Sequence, residues 1–317
     1  MTSAAPLFDD VAQAPKGGQA FWLTAQDGVN IRVAHWGPKS NAKGTILMFP
    51  GRTEYIEKYG RDVSDFLTRG FATVVIDWRG QGLGQRLLDD PMIGHVGEFA
   101  DYQLDVQAVL AHLETQNLPK PYFLIGHSMG GCIGLRALHE GLPVAAAVFS
   151  APMWGIQMSP VLRPVAWALS TISKPLGFSS IYSPGQSGEN LVIKDPFEGN
   201  PLTTDTDFFH YMRRQLVNHP ELGLGGPSLR WLNGALVEMA TLAKMPAPSL
   251  PILALLGTDE AIVEPDAIRD LVAKAPNGRL IEYDGGQHEI LMERPEIRDH
   301  AIDQLTTFFA EHALAAA

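Results

Sequence analysis

The stretch Phe123-Leu-Ile-Gly-His-Ser-Met-Gly-Gly131 runs from an apolar segment, through a serine flanked by glycines, into a pattern that predicts a helix. Within it, Gly126-His-Ser-Met-Gly130 fits the G-x-S-x-G pattern, whose serine sits on a sharp turn between a strand and a helix. Glycines two positions away on either side permit the strained backbone of such a turn. Serine is also a favoured helix N-cap. The stretch alone therefore leaves Ser128 open between a capping residue and a catalytic nucleophile.

Short apolar runs lie on both sides of this stretch, and they are too continuous for half-exposed strands. We interpret them as buried parallel strands, at residues 45–49, 72–77, 122–125 and 144–149, and further strands are predicted at 251–256 and 279–283. Helical patterns separate them, at residues 57–69, 102–116, 129–140, 266–275 and 295–312. Strands that alternate with helices predict an α/β fold, with a mostly parallel central sheet and helices on both faces.

Two further segments depart from this alternation. Residues 21–25 and 30–36 alternate apolar and polar side chains around Gln26-Asp27-Gly28, which predicts an antiparallel hairpin. Residues 153–248 contain helical stretches broken by Pro, Gly and Ser, without a convincing buried strand. We therefore predict a helical cap at 153–248, inserted between a first part of the core at 1–152 and a second part at 249–317.

Composition excludes several classes of partner. The 24 Lys and Arg against 35 Asp and Glu give a net charge of -11 without a basic cluster, so nucleic acid is not expected as a partner. No apolar stretch approaches the roughly 18 to 20 residues that span a bilayer, and residues 1–19 lack the pattern of a secretory signal. The single Cys132 cannot form an internal disulfide. We expect a cytoplasmic protein, and the oligomeric state stays open.

A nucleophilic serine needs a neighbouring base, and His288 is the best candidate among the ten histidines. It follows the last predicted strand in a glycine-bearing loop, at the sheet edge where open α/β folds gather functional groups. His127 is next to the serine and is expected to point to the opposite side in a structural role. His95 and His210 are the other histidines placed where they could touch a substrate.

The base is oriented by a carboxylate, and the loop Gly257-Thr-Asp-Glu-Ala-Ile-Val-Glu-Pro265 offers two adjacent ones. The loop after the preceding strand offers none. The choice at this point lies between Asp259 and Glu260. An acyl-transfer site also needs two backbone N–H groups for the developing oxyanion, which we expect from Met129 and Arg52.

With these residues identified, the chain resembles the α/β-hydrolase family, and within it the bacterial lysophospholipase and monoacylglycerol lipase branch. The resemblance is carried by FPGRTEYIEKYG, VIDWRGQGLG, GHSMGG, LLGTDEAIVEP and YDGGQHEILME. It implies a mobile helical cap at the predicted insertion, and neither a metal ion nor an organic cofactor. The family pattern places the acid three residues after Gly257 and three before Val263, which favours Glu260 and keeps Asp259 as the alternative. The family commonly has His-Gly where this chain has Pro50-Gly51.

The resulting prediction is a serine esterase that hydrolyses a single-acyl lipid, either a lysophospholipid or a monoacylglycerol, through an acyl-enzyme on Ser128. Apolar cap segments at 161–169 and 231–236 suit an acyl chain, although the same side chains could simply pack the cap on the core. Transient contact of the cap with a membrane surface is compatible with this substrate. The alternatives are a hydrolase of the same fold acting on short esters, lactones, amides or C–C bonds, and a non-catalytic binding module.

Overall fold

The computed structural model describes residues 3–38 and 40–315. Its strands are β1 (Ser3–Ala4), β2 (Gln19–Thr24), β3 (Asn30–Trp36), β4 (Thr45–Phe49), β5 (Ala72–Asp77), β6 (Tyr122–His127), β7 (Ala146–Ser150), β8 (Ile252–Gly257) and β9 (Gly278–Tyr283). Its helices are α1 (Asp9–Ala12), α2 (Gly60–Thr68), α3 (Asp101–Gln116), α4 (Met129–His139), α5 (Leu162–Ser173), α6 (Leu191–Lys194), α7 (Thr206–Asn218), α8 (Leu229–Leu242), α9 (Pro265–Lys274) and α10 (Pro295–Ala315). Short 3-10 turns occur at Ile56–Tyr59, Pro220–Leu222 and Ile290–Met292.

Within the described residues these strands form one sheet, in the order β1-β2-β3-β5-β4-β6-β7-β8-β9. The pairs from β1 to β5 through β2 and β3 are antiparallel. The pair of β2 with β3 is the hairpin that the sequence predicts. The pairs from β5 to β9 are parallel. The carboxyl ends of the parallel strands therefore meet at one edge, where the loops of the site lie.

The central strands are apolar throughout because both of their faces are covered. In β4 the side chains of Leu47 and Phe49 belong to one buried cluster, and those of Ile46 and Met48 belong to another on the opposite face. Alternation of side chains along a strand gives each face half of the apolar residues. Helices α3, α4 and α9 cover the first face, and α2 and α10 cover the second.

The predicted helix at 57–69 is divided in the structure. A 3-10 turn covers Ile56–Tyr59, and α2 begins only at Gly60. A Cβ on Gly60 would lie 1.8 Å from the carbonyl oxygen of Ala12, so glycine is needed for α1 to approach α2. This long-range contact is invisible in the local helical pattern.

Between β7 and β8 the described chain contains α5 to α8 and no strand of the sheet. α5 packs against α8, and an isolated antiparallel bridge joins Ile156 to Val263 in the loop after β8. The division into a core and a cap at 153–248 stays a prediction. No helix among residues 3–38 and 40–315 combines the length and apolar character required to cross a bilayer.

Candidate active site

Ser128 occupies a strained turn between β6 and α4. Its backbone has φ 50° and ψ -119°, a region that costs a non-glycine residue about 1–3 kcal/mol. Its side chain makes no capping hydrogen bond to α4, although it stands at the N-cap position. The hydroxyl is therefore not used as a helix cap, and it faces a cavity that Ser128 helps to line.

The turn is fixed by its contacts with the neighbouring strands. A Cβ on Gly130 would lie 1.9 Å from the carbonyl oxygen of Phe49, so α4 starts in direct contact with the end of β4. The backbone N–H of Ser128 donates to the carbonyl of Ser150 at 3.1 Å. Its own carbonyl accepts from the N–H of Met153 at 2.8 Å. The glycine and these bonds hold the serine in the strained conformation.

His288 and Glu260 lie in the loops after β9 and β8, and the structure brings them together. Nδ1 of His288 is 2.7 Å from Oε2 of Glu260, and both side chains are buried. The other carboxylate oxygen accepts the backbone N–H groups of Ile262 at 2.6 Å and Val263 at 3.0 Å. Burial raises the pKa of the Glu260 carboxyl, but the charge and hydrogen bond of His288 and these N–H groups outweigh it, so the pKa is lowered.

The neighbouring Asp259 is placed differently. Its side chain is exposed, and its one described side-chain contact is with Thr258 at 3.5 Å. The turn that follows β8 directs the carboxylate of Asp259 outwards and that of Glu260 inwards. The geometry therefore supports Glu260 over Asp259 as the partner of His288.

The loop after β4 approaches Ser128 from the other side. A Cβ on Gly51 would lie 3.0 Å from Cβ of Ser128, and Thr53 adopts φ 69° to complete the turn. Within the part of the chain that the structure describes, the backbone N–H groups of Arg52 and Met129 donate to no protein acceptor. Met129 is the first residue of α4, where N–H groups lack an intrahelical partner.

A group that the sequence analysis did not find lies beneath these loops. We call Glu54, Lys58, His127 and Glu289 the buried cluster, since all four side chains are almost fully buried. Nζ of Lys58 is 2.6 Å from Oε1 of Glu54 and 2.6 Å from Oε1 of Glu289. Nε2 of His127 is 3.3 Å from a carboxylate oxygen of each glutamate. Two carboxylates thus face two cations.

The buried cluster connects three parts of the site. Glu54 accepts the backbone N–H of Gly51, His127 precedes Ser128, and Glu289 follows His288. Burial lowers the pKa of His127, but Glu289 and Glu54 outweigh it and raise the pKa to about 10, so the imidazole is protonated at neutral pH. The predicted structural role of His127 agrees with this placement. Its partners escaped the sequence analysis because they come from distant loops.

Oxygen and nitrogen atoms of Glu54, His127 and Glu289 lie within 4.8 Å of one another, a spacing that could hold a metal ion. The ammonium of Lys58 already contacts both carboxylates. The cations that face these glutamates are therefore side chains of the chain itself, Lys58 and His127.

The cavity above Ser128 and His288 has a volume of about 620 Å³. Its walls are largely apolar and come mainly from the segment between β7 and β8, including Leu162, Val165, Leu169, Met212, Leu216 and Leu232. A concave apolar site with a few polar groups is typical of small-molecule binding. His95 and His210 are not among its lining residues: His95 contacts Ser228, and His210 is exposed on α7.

The sequence profile of the family described as serine aminopeptidase S33 (Hydrolase_4) matches residues 40–295. The chain belongs to this family. Its fold is that of the α/β-hydrolases, so the predicted fold class and the predicted resemblance are both confirmed.

Relatives extend over nearly the whole chain. It is 29% identical over 303 residues to lysophospholipase L2 of Escherichia coli K12, covering 92% of this chain and 87% of that protein. It is 28% identical over 284 residues to a probable lysophospholipase L2 of Haemophilus influenzae, covering 88% of each. A solved monoglyceride lipase of Saccharomyces cerevisiae, in complex with a substrate analogue, superimposes with a TM-score of 0.70 at 20% identity, covering 92% of this chain and 94% of that one.

Proposed function

We propose that this protein is a serine esterase that hydrolyses the carboxylic ester of a single-acyl lipid, a lysophospholipid or a monoacylglycerol. The observation that carries the proposal is the His288–Glu260 hydrogen bond beside a strained Ser128 at the floor of an apolar cavity. The names of the bacterial relatives support the same reaction class.

In the proposed mechanism Ser128 attacks the ester carbonyl, and its hydroxyl proton passes to Nε2 of His288. Glu260 accepts the hydrogen of Nδ1, which leaves Nε2 as the basic nitrogen on the side of the serine. The negative charge that develops on the carbonyl oxygen is held by the N–H groups of Arg52 and Met129. These two donors have no protein acceptor in the described residues, so they are available to the substrate.

Collapse of the tetrahedral intermediate breaks the ester bond, and His288 gives its proton to the leaving alcohol. Water then attacks the acyl-enzyme on Ser128 while His288 takes a proton from it. The second collapse releases the fatty acid and restores the serine hydroxyl. No step needs a metal ion or an organic cofactor.

The proposal includes transient contact with lipid surfaces. Leu162 and Val165 of α5 line the cavity and are also 60% and 55% exposed, and Val161 beside them is 76% exposed. Apolar side chains at a cavity mouth offer a single-chain lipid a path out of a bilayer or micelle. The proposed location is cytoplasmic, in accord with one buried free Cys132.

The experiment is a hydrolysis screen with purified protein. Lysophospholipids and monoacylglycerols of the same acyl chain are compared with chromogenic esters of increasing chain length, lactones and amides, and Ser128→Ala serves as the inactive control. We expect activity to rise with acyl length and to vanish in the variant. Equal or better turnover of short esters or amides would favour the rival hydrolase, and failure of a fluorophosphonate to label Ser128 would favour a binding module.

A further inference from the structure

Arg52 presents an uncompensated cation to the cavity. Its side chain extends from the loop after β4 to the part of the cavity wall that Gly225 and Trp231 line. There Nη1 donates to the carbonyl oxygen of Gly225 at 2.8 Å. The guanidinium lies over the ring of Trp231, with 5.6 Å from Cζ to the centroid. Among the described residues, no carboxylate forms an ion pair with it.

Two other cationic side chains in or near the cavity, Lys58 and Arg86, already contact several acceptors of the protein. Lys58 also lines the cavity, but it contacts the carboxylates of both Glu54 and Glu289. Within residues 3–38 and 40–315 Arg86 has no carboxylate partner either. Its guanidinium donates to four backbone carbonyls, those of Gly80, Gly82, Glu221 and Gly223. A guanidinium carries five N–H donors, and Arg52 uses one of them on the protein.

The electrostatic state of Arg52 suits an anionic ligand. Removal from water lowers the pKa of its guanidinium to about 10, so it remains a cation at neutral pH. Arg52 is half-buried at the cavity wall, and an incoming anion would balance a charge that no carboxylate of the described residues balances. Guanidinium groups bind phosphate oxygens in paired hydrogen bonds, which makes phosphate a fitting anion.

The position of Arg52 sets the distance between its guanidinium and the reacting ester. In the proposed mechanism its backbone N–H holds the carbonyl oxygen, so its side chain starts at the reacting group. The glycerol unit between an acyl ester and a phosphate has a length comparable to that of an arginine side chain. The wall around Trp231 and Gly225 is thus where a phosphate on the leaving group would arrive.

We propose that the Arg52 guanidinium binds the phosphodiester of a lysophospholipid and thereby selects phosphorylated over neutral single-acyl glycerol esters. This inference rests on the proposed function. It assigns the side chain of Arg52 a role separate from that of its backbone N–H.

The test compares lauroyl lysophosphatidylcholine with monolauroylglycerol in mixed micelles of a neutral detergent. The readout is kcat/KM for lauroyl lysophosphatidylcholine divided by kcat/KM for monolauroylglycerol. Effects of a substitution on the acyl chemistry that both substrates share cancel in this ratio. Since a hydrogen bond to a charged group contributes about 1.5–3 kcal/mol, Arg52→Met should lower the ratio roughly 10- to 100-fold. Arg52→Lys keeps the charge and loses the paired hydrogen-bond geometry, so its ratio should lie between those of the wild type and Arg52→Met. The exposed Arg214→Met is the matched control and should keep the wild-type ratio.

Other outcomes separate this inference from the proposed function. A wild-type protein that hydrolyses neither lipid overturns the proposed function, whereas normal hydrolysis with an unchanged ratio in Arg52→Met overturns only the phosphate site. If thermal unfolding shows that Arg52→Met is not folded, Arg52→Lys and a binding titration of Ser128→Ala with both lipids decide. Equal binding of the two lipids by Ser128→Ala would refute phosphate recognition.

Discussion

Replacing Lys58 with methionine tests whether the buried cluster holds the catalytic loops together. The substitution keeps an unbranched apolar side chain of similar length and removes the ammonium that lies 2.6 Å from Glu54 and from Glu289. His127 then remains as the single cation facing two buried carboxylates. One uncompensated negative charge is left among side chains that are at most 5% exposed.

The magnitude follows from two independent estimates. Removing one partner of a buried ion pair typically costs about 3–5 kcal/mol. Protonation of one glutamate would remove the uncompensated charge. For an ordinary carboxyl pKa of 4.5 this protonation costs about 3.4 kcal/mol at pH 7, at about 1.36 kcal/mol per pH unit. Both estimates predict a loss of about 3 kcal/mol or more in the free energy of unfolding, a large share of the roughly 5–15 kcal/mol usual for proteins.

The assay is urea unfolding followed by fluorescence of the six tryptophans. The loss in Lys58→Met should be smaller at pH 5 than at pH 7, because the extra proton on a glutamate then costs about 0.7 kcal/mol. Lys120→Met removes the same side chain from an exposed pair with Glu114 and should have a much smaller effect. A Lys58→Met protein as stable as the control, or a loss that does not depend on pH, would refute this account of the buried cluster.

Three further outcomes are expected. Ser128→Ala and His288→Ala should each reduce kcat by about 10^6 on a chromogenic acyl ester, as loss of either group does in a serine protease triad, and either variant retaining most of the activity would contradict the mechanism. Glu260→Gln should lose orders of magnitude in kcat while Asp259→Asn stays near wild type, and the reverse result would transfer the acid to Asp259. The pKa of His127 is raised from 6.5 to about 10 in the folded protein, so the stability it contributes is complete below pH 6.5 and is lost as the pH rises through 10. The free energy of unfolding should therefore fall from pH 7 to 10, by at most about 1.4 kcal/mol per pH unit from this group, and His127→Gln should flatten that slope.

The elements around Ser128 could be predicted because their signals are local. Continuous apolar runs gave the buried strands, and the predicted run at 144–149 is observed as Ala146–Ser150, a shift of one or two residues at its ends. The two glycines around Ser128 indicated the strained turn, which the structure has at φ 50°. Hydrophobic continuity and glycine placement are properties of neighbouring residues, so a single sequence carries them.

The buried cluster could not be predicted for the opposite reason. Lys58 and Glu289 are 231 residues apart in the chain, and nothing near either one signals the other. Glu54 and Glu289 looked like ordinary charged residues of loops, which are usually exposed. The same holds for the guanidinium of Arg52, because its contact with Gly225 and the absence of a carboxylate partner among the described residues depend on segments distant in the chain.

The bridge between Ile156 and Val263 has a consequence for chimeric proteins. Backbone bonds join Gln157 to Ile262 and Glu264 to Gly155, each at 3.0 Å, so residues 155–157 run as an extension of the loop that carries Glu260. A Cβ on Gly155 would lie 2.8 Å from Cβ of Glu264, which leaves little tolerance for exchange. A graft that exchanges the helical segment between homologues should accordingly place its first junction after residue 158, so that the loop that carries Glu260 keeps its own backbone partners.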